Sequence, residues 1–466
     1  MTGTNFKIGA GIQTINPTSG NIIDEFEFTG PKALSEILDE ATATFAQYKR
    51  STVTQRVDGI RRLSAILSRQ RDEFATQITR EMGKPITQAH GEIDKCINAC
   101  EYYATHLPEM LKPRDIEVTP DRAAVHLRPL GVIFAILPWN YPWWQVVRAM
   151  LPAIAVGNVV VLKHAESVTG CAFSIQDAFR EAFGSKIMNT VVLPGERASE
   201  TIGDDRIAAV TFTGSERVGA LVAQAAGAAL KKCVLELGGS DPFIVLDDAD
   251  VESAAKAAVK SRFLNNGQSC IAAKRILVPR KQRSEFVASL DRHLQELSVG
   301  DPMDPKVEVG PIARYDLLND LNDQRSRAVA SGDLVLGETA HPAGPGAWFA
   351  PILMEVQSSD SPLLREETFG PLGAVTFYET EEDAVAIAND TQYGLSSAVW
   401  SSDETRAQRV AARIKAGSVF INGISASDPR LPVGGIKASG YGRELADYGL
   451  AEFANIQAVR VTSTGS

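Results

Sequence analysis

The 466-residue sequence has no Gly-x-Gly-x-x-Gly, the fingerprint that opens the standard dinucleotide-binding fold. It has no Cys-x-x-Cys and no histidines at ligand spacing, so a metal site is not expected. No apolar run approaches the roughly 20 residues a membrane span requires, and the opening residues lack the apolar core of a signal peptide. No basic block interleaved with aromatics offers itself to nucleic acid, and 57 acidic against 47 basic residues give a formal net charge of −10. Five scattered cysteines (Cys96, Cys100, Cys171, Cys233, Cys270) make an odd set, which argues for reduced thiols and a cytoplasmic location. What is left, at 44% hydrophobic and 22% charged residues, is a globular chain long enough for two or three domains.

Residues 32–112 carry long runs with helical spacing of apolar positions. From Gly131 the texture changes to short apolar runs at 131–137, 157–162, 189–193 and 207–213, each followed by a helical pattern. Strands buried on both faces read this way, so a doubly wound parallel sheet is predicted. A second series after Gly239 predicts strands near 242–246, 275–279, 372–378, 396–400 and 417–421, with helices near 251–264, 281–297, 381–389 and 403–415. The segments 114–129 and 453–462 look like exposed strands outside both sheets, whose free edges invite a second chain.

The chemistry concentrates in a few short stretches. Asn-Asn-Gly-Gln-Ser-Cys-Ile (265–271) sets the thiol of Cys270 in a small polar loop, where it looks like a nucleophile. Glu236 ends an apolar strand and is followed within two residues by a pair of glycines, offering a base with room for another group to approach. Pro138-Trp-Asn-Tyr-Pro142 places the amide of Asn140 rigidly above a sheet, where it can donate to an oxyanion. Thr211-Phe-Thr-Gly-Ser-Glu runs from a strand into a helix, and the turn at Gly214 and Ser215 suits a phosphate. Lys163 and Glu166 lie at a buried strand's carboxyl end, where a dinucleotide ribose finds its partners. The carboxylate favours NAD and repels the extra phosphate of NADP. In isolation a simple strand-to-helix turn explains Gly214 and Ser215 equally well, and a solvated strand end is the commoner explanation of Lys163 and Glu166.

Taken together, Pro-Trp-Asn, Lys163 with Glu166, Phe-Thr-Gly-Ser, Glu-Leu-Gly-Gly, Gly-Gln-Ser-Cys, Glu366-Glu-Thr-Phe-Gly-Pro371 and Gly434-Gly-Ile-Lys-Ala-Ser-Gly440 follow one another in order over residues 12–462. This series resembles the aldehyde dehydrogenase superfamily. The resemblance implies Cys270 as nucleophile, Glu236 as general base, and Asn140 with the Cys270 amide as oxyanion donors. It implies cofactor contacts at Trp139, Lys163, Glu166, Gly214, Ser215, Glu367 and Phe369, with NAD, or NADP, as cofactor. It further implies an α/β fold in which 1–113 and 131–238 form a doubly wound Rossmann-like cofactor domain and 239–445 an α/β catalytic domain. The segments 114–130 and 446–466 would form a bridging β element that builds a homodimer or homotetramer.

Arg148, eight residues beyond Asn140 on the same helix, resembles the carboxylate-binding arginine of succinate semialdehyde dehydrogenases. Trp144 is expected to wall the substrate tunnel and Ser427 to contribute from the loop before Pro432. The second arginine of better-known members is replaced by Leu264, with Arg262 two positions away. An uncharged aliphatic or aromatic aldehyde is the alternative substrate. A coenzyme A acylating or hydrolytic thiol enzyme is the alternative of another class.

Overall fold

The computed structural model describes residues 11–462. The first ten positions of the segment 1–113 and the last four of 446–466 lie outside them. Two parallel sheets organise the chain.

The first sheet has six strands in the order Gly440–Tyr441, Lys232–Glu236, Ile207–Thr213, Val132–Leu137, Val159–His164, Met188–Thr190. All are parallel except Gly440–Tyr441, which runs antiparallel against Lys232–Glu236. The strands are mostly apolar in their middles because both faces are covered. On one face pack the helices Val53–Arg69, Arg71–Met82, Ile86–Met110, Pro142–Val156 and Thr169–Phe183. On the other pack Pro31–Tyr48, Gly195–Ile202 and Glu216–Ala228. Strand order reverses between Val132–Leu137, the first parallel strand in the chain, and Ile207–Thr213, the fourth. At such a switch point the connections diverge to opposite faces and leave a crevice beyond the carboxyl ends.

The second sheet has seven strands in the order Leu334–Glu338, Ile352–Glu355, Leu372–Tyr378, Ala273–Pro279, Asp241–Val245, Ser396–Trp400, Ser418–Ile421, with only Leu334–Glu338 antiparallel. It too carries a core on each face. The segments 114–129 and 453–462 form a separate three-stranded antiparallel sheet, Arg114–Val118, Asp121–Pro129 and Ala454–Val461. One piece of 239–445 crosses over: Gly440–Tyr441 belongs to the first sheet, with Gly440 in register with Glu236. A hairpin, Gly11–Ile15 with Ile22–Glu27, precedes the helical opening section.

Candidate active site

Asn140, Ser215 and Glu236 all stand just past, or at, the carboxyl ends of strands in the first sheet. Cys270 precedes Ala273–Pro279 and Glu367 to Phe369 precede Leu372–Tyr378, so they come from the amino ends of strands in the second sheet. Where these two edges meet lies a cavity of about 310 Å³ whose wall includes Trp139, Asn140, Gly214, Ser215, Gly238, Cys270, Arg314, Glu367 and Phe369. Seven of the residues singled out in the sequence are thus brought to one wall. Glu236 lies behind it, 3% exposed.

The thiol loop is held in an uncommon backbone state. Asn265, Asn266 and Gly267 take φ of 58°, 57° and 69°, three successive left-handed residues, each non-glycine one costing about 1–2 kcal/mol. Buried side-chain hydrogen bonds compensate. Asn265 Nδ2 donates to the carbonyls of Asn140 and Gln268, both at 2.9 Å. Asn266 Nδ2 donates to the carbonyls of Gly83 (2.8 Å) and Pro311 (2.9 Å), and its Oδ1 accepts from Gly310 N–H at 2.7 Å. Lys274, fully buried, donates to the carbonyls of Ser269 and Cys270, each at 2.8 Å, and pairs with Glu367 at 2.9 Å. Glu367 also accepts from Gly239 N–H at 3.0 Å, which ties both halves of the site to one carboxylate. A Cβ on Gly239 would stand 2.6 Å from the Cys270 carbonyl, so that glycine is needed for the close approach.

Asn140 donates from Nδ2 to the Gln268 carbonyl at 3.1 Å. That partner can only accept, so the amide's orientation is fixed, and its second hydrogen remains for a ligand. The Cys270 N–H has no hydrogen-bond partner among the described residues. The loop carrying Asn140 is anchored from a distant helix. Tyr141 does not cap the helix Pro142–Val156; instead Glu92 Oε1 accepts from Trp143 N–H (2.8 Å) and Trp144 N–H (3.0 Å). The other Glu92 oxygen pairs with buried Lys84, whose ammonium stands 3.8 Å from the Tyr141 ring centroid.

Burial pushes the Cys270 thiol up to about 11, against the pull of Arg148 and Lys274. Burial and the neighbouring Glu444 carboxyl likewise hold Glu236 well above the usual carboxylate range, opposed by Arg148 and Arg443. Arg148 is 4% exposed. Its Nε is ion-paired with Glu444, and its Nη2 stands 4.0 Å from Glu236, beyond hydrogen-bond reach. Arg148 thus shares its charge between two carboxylates of the protein and, among the described residues, keeps Nη1 and Nη2 without a hydrogen bond.

Ser427 is half-buried and accepts from Lys95 Nζ at 2.7 Å and Trp144 Nε1 at 3.1 Å. Arg262 turns away from the cavity and donates to the carbonyls of Thr368, Gly370 and Leu372, bracing the Glu367–Phe369 loop. Lys163 and Glu166 sit one strand over from the switch point; Glu166 lines a small recess with His164 and Thr169 and not the Cys270 cavity.

The sequence reading missed Lys274, Glu92, Lys95 and Glu444, and it included Asn265 and Asn266 in the thiol loop without giving them a role. Of these, Lys274 carried a signal, standing with Arg275 as a pair of charges at the start of a buried strand. Among the described residues no three His, Cys, Asp or Glu side chains gather as metal ligands do, and no helix is long and apolar enough to cross a membrane.

The chain that sets this thiol beside two free amide donors is matched by the family model for the aldehyde dehydrogenase family, which covers residues 6–459. The chain belongs to the aldehyde dehydrogenase family. It is 43% identical to the succinate semialdehyde dehydrogenase [NAD(P)+] Sad of Escherichia coli (strain K12), covering 96% of this chain and 97% of that one. It is 42% identical to a probable succinate-semialdehyde dehydrogenase [NADP(+)] of Synechocystis, covering 96% and 99%. The succinic semialdehyde dehydrogenase of Streptococcus pyogenes, solved in complex with NADP+, superposes with a TM-score of 0.94 at 35% identity, covering 97% of this chain and all of that one.

Proposed function

We propose that this aldehyde dehydrogenase oxidises succinate semialdehyde to succinate with NAD(P)+. The observation that carries the reading is the single cavity uniting Cys270 and Asn140 with Trp139, Gly214, Ser215, Glu367 and Phe369. The relatives named for succinate semialdehyde, matched over nearly their whole length, supply the substrate.

The residues fit a nicotinamide dinucleotide. Ser215 stands at the start of Glu216–Ala228 without using its hydroxyl to cap that helix, so hydroxyl and first-turn amides are both open to a phosphate. Trp139 and Phe369, edge to face at 5.7 Å, present apolar surface for a flat ring, and Glu367 faces the same space. Lys163 and Glu166 are assigned to the adenosine ribose. When bound, the dinucleotide supplies the hydride acceptor.

Cys270 loses its proton through Glu236 and water, and the thiolate attacks the aldehyde carbon, forming the C–S bond. The resulting oxyanion takes hydrogen bonds from Asn140 Nδ2 and the Cys270 N–H. Loss of hydride leaves a thioester on Cys270. Glu236 then takes a proton from water, hydroxide displaces the sulfur, and the acid departs.

The segments 11–113 and 131–238 are assigned to cofactor binding and 239–445 to catalysis. The exposed Ile116, Ile456, Val459 and Val461 on the three-stranded sheet support its use in pairing with a second copy, and the five free thiols suit a cytoplasmic protein.

Reduced-nicotinamide formation from succinate semialdehyde without coenzyme A tests the reading. Wild-type protein should turn over steadily. Cys270→Ala should bind cofactor, read by quenching of tryptophan fluorescence, yet give no product. Undiminished oxidation by that variant would overturn it.

A further inference from the structure

Three buried cations around the site pair with carboxylates, Lys84 with Glu92, Arg148 with Glu444 and Lys274 with Glu367, and two more, Arg262 and Arg275, are satisfied by backbone carbonyls. Lys95, half-buried, has neither kind of partner among the described residues. It sits on Ile86–Met110 one turn beyond Glu92, and among the described residues it forms no ion pair within 4 Å. Its ammonium is held by a neutral hydroxyl, Ser427 Oγ at 2.7 Å, and stands 4.5 Å from the centroid of the Trp144 ring. Trp144 Nε1 donates to that same hydroxyl at 3.1 Å. The nearby carboxylates are engaged elsewhere. Glu92 serves Lys84 and two amides, and Asp428 is held by Arg430 at 2.8 Å.

We propose that Lys95 is the residue that receives the carboxylate of an ω-carboxy aldehyde, with Ser427 Oγ and Trp144 Nε1 as neutral donors beside it. Desolvated positive charge without a counter-ion is costly, and an arriving carboxylate removes that cost while forming a charge-assisted hydrogen bond. Trp144 lies four residues beyond Asn140 and one turn before Arg148, so the cluster flanks the helix that starts at the oxyanion site. Burial, with repulsion from Arg148 next, pushes the Lys95 ammonium down to about 8. Arg148, already committed to Glu444, adds positive potential from behind. The inference rests on the semialdehyde reading above and names the group that would make the enzyme prefer an acidic aldehyde to a neutral one.

The test is the ratio of kcat/KM for succinate semialdehyde to that for butanal, which has the same carbon chain without the carboxylate. Wild-type protein should favour the semialdehyde strongly. Lys95→Met should lower the ratio about 10- to 100-fold, the span of one charge-assisted hydrogen bond, with the loss carried by KM. Lys95→Arg, which keeps the charge, should restore part of it. Should Lys95→Met not fold, Ser427→Ala on the opposing loop should lower the same ratio several-fold. A ratio unmoved by Lys95→Met, or by Ser427→Ala where that variant stands in, would overturn the assignment to Lys95 while leaving the substrate reading intact. A wild-type enzyme with no preference between the two aldehydes would overturn the substrate reading and this inference with it.

Discussion

Arg148 and Glu444 form an ion pair in which the two side chains are only 5% and 2% exposed, and the next carboxylate in reach of the guanidinium is Glu236. The proposed general base is therefore set in an electrostatic frame contributed by two separated parts of the chain. Deleting one partner strands the other charge in a dry place, at a cost of about 3–5 kcal/mol. Arg148→Met should lower the urea midpoint markedly, and Arg148→Met with Glu444→Gln should recover most of the loss. Additive losses in this double-mutant cycle would show that the pair is not the stabilising unit.

As the proposed general base Glu236 would act only when ionised, and burial beside Glu444 holds its pKa above the ordinary carboxylate range. A raised pKa means the ionised fraction grows as pH rises through neutrality. The kcat of deacylation should follow it, increasing from pH 6 and levelling only on the alkaline side. Because Arg148 pulls that pKa down, Arg148→Met should move the acidic limb further to alkaline pH. Glu236→Gln should keep a rapid burst of reduced cofactor, seen by stopped flow, and lose the steady-state rate. A flat profile for deacylation between pH 6 and 9 would exclude Glu236 as the base.

The buried parallel strands could be read from sequence because a strand covered on both faces is a continuous apolar run, as in Val132–Leu137. The hairpin strand Ile22–Glu27 could not, since Ile-Ile-Asp-Glu-Phe-Glu is mostly exposed and lacks a strict alternation. In the site, Cys270 and Glu236 announced themselves by reactive side chains set close to glycines. Lys95 did not: one lysine on a 25-residue amphipathic helix looks like any solvated lysine until Ser427 and Trp144 fold against it. Arg148 was legible as a buried cation, but its commitment to Glu444 depends on a turn beside the last strand of the first sheet, which no local pattern specifies.

Asn140→Ala removes one of the two proposed oxyanion donors while leaving the Cys270 N–H in place. The expected loss is about 10²- to 10³-fold in kcat, with little change in cofactor affinity. Asn140→Asp should be as damaging, because a carboxylate at that position repels the oxyanion and also faces the Gln268 carbonyl. Single-turnover rates of hydride loss separate this effect from deacylation. A variant slowed only in the second step would reassign Asn140.

Gly267 is the residue on which the loop geometry depends most. Its φ of +69° is open to glycine and strained for any other residue, and a Cβ there would stand 2.5 Å from the carbonyl carbon and oxygen of Gly370. Gly267→Ala should therefore displace Gly370 and Pro371, and with them Phe369 and Glu367 on the cofactor side of the cavity. The expected result combines a lower melting temperature with a raised KM for NAD(P)+, although position 267 does not line the cavity. Asn265→Gly provides the contrast. It relieves left-handed strain but deletes the two donors to Asn140 and Gln268, so its loss should fall on kcat. If both variants lost kcat and cofactor affinity in the same proportion, the loop would be acting only as a general scaffold and not as two separable supports.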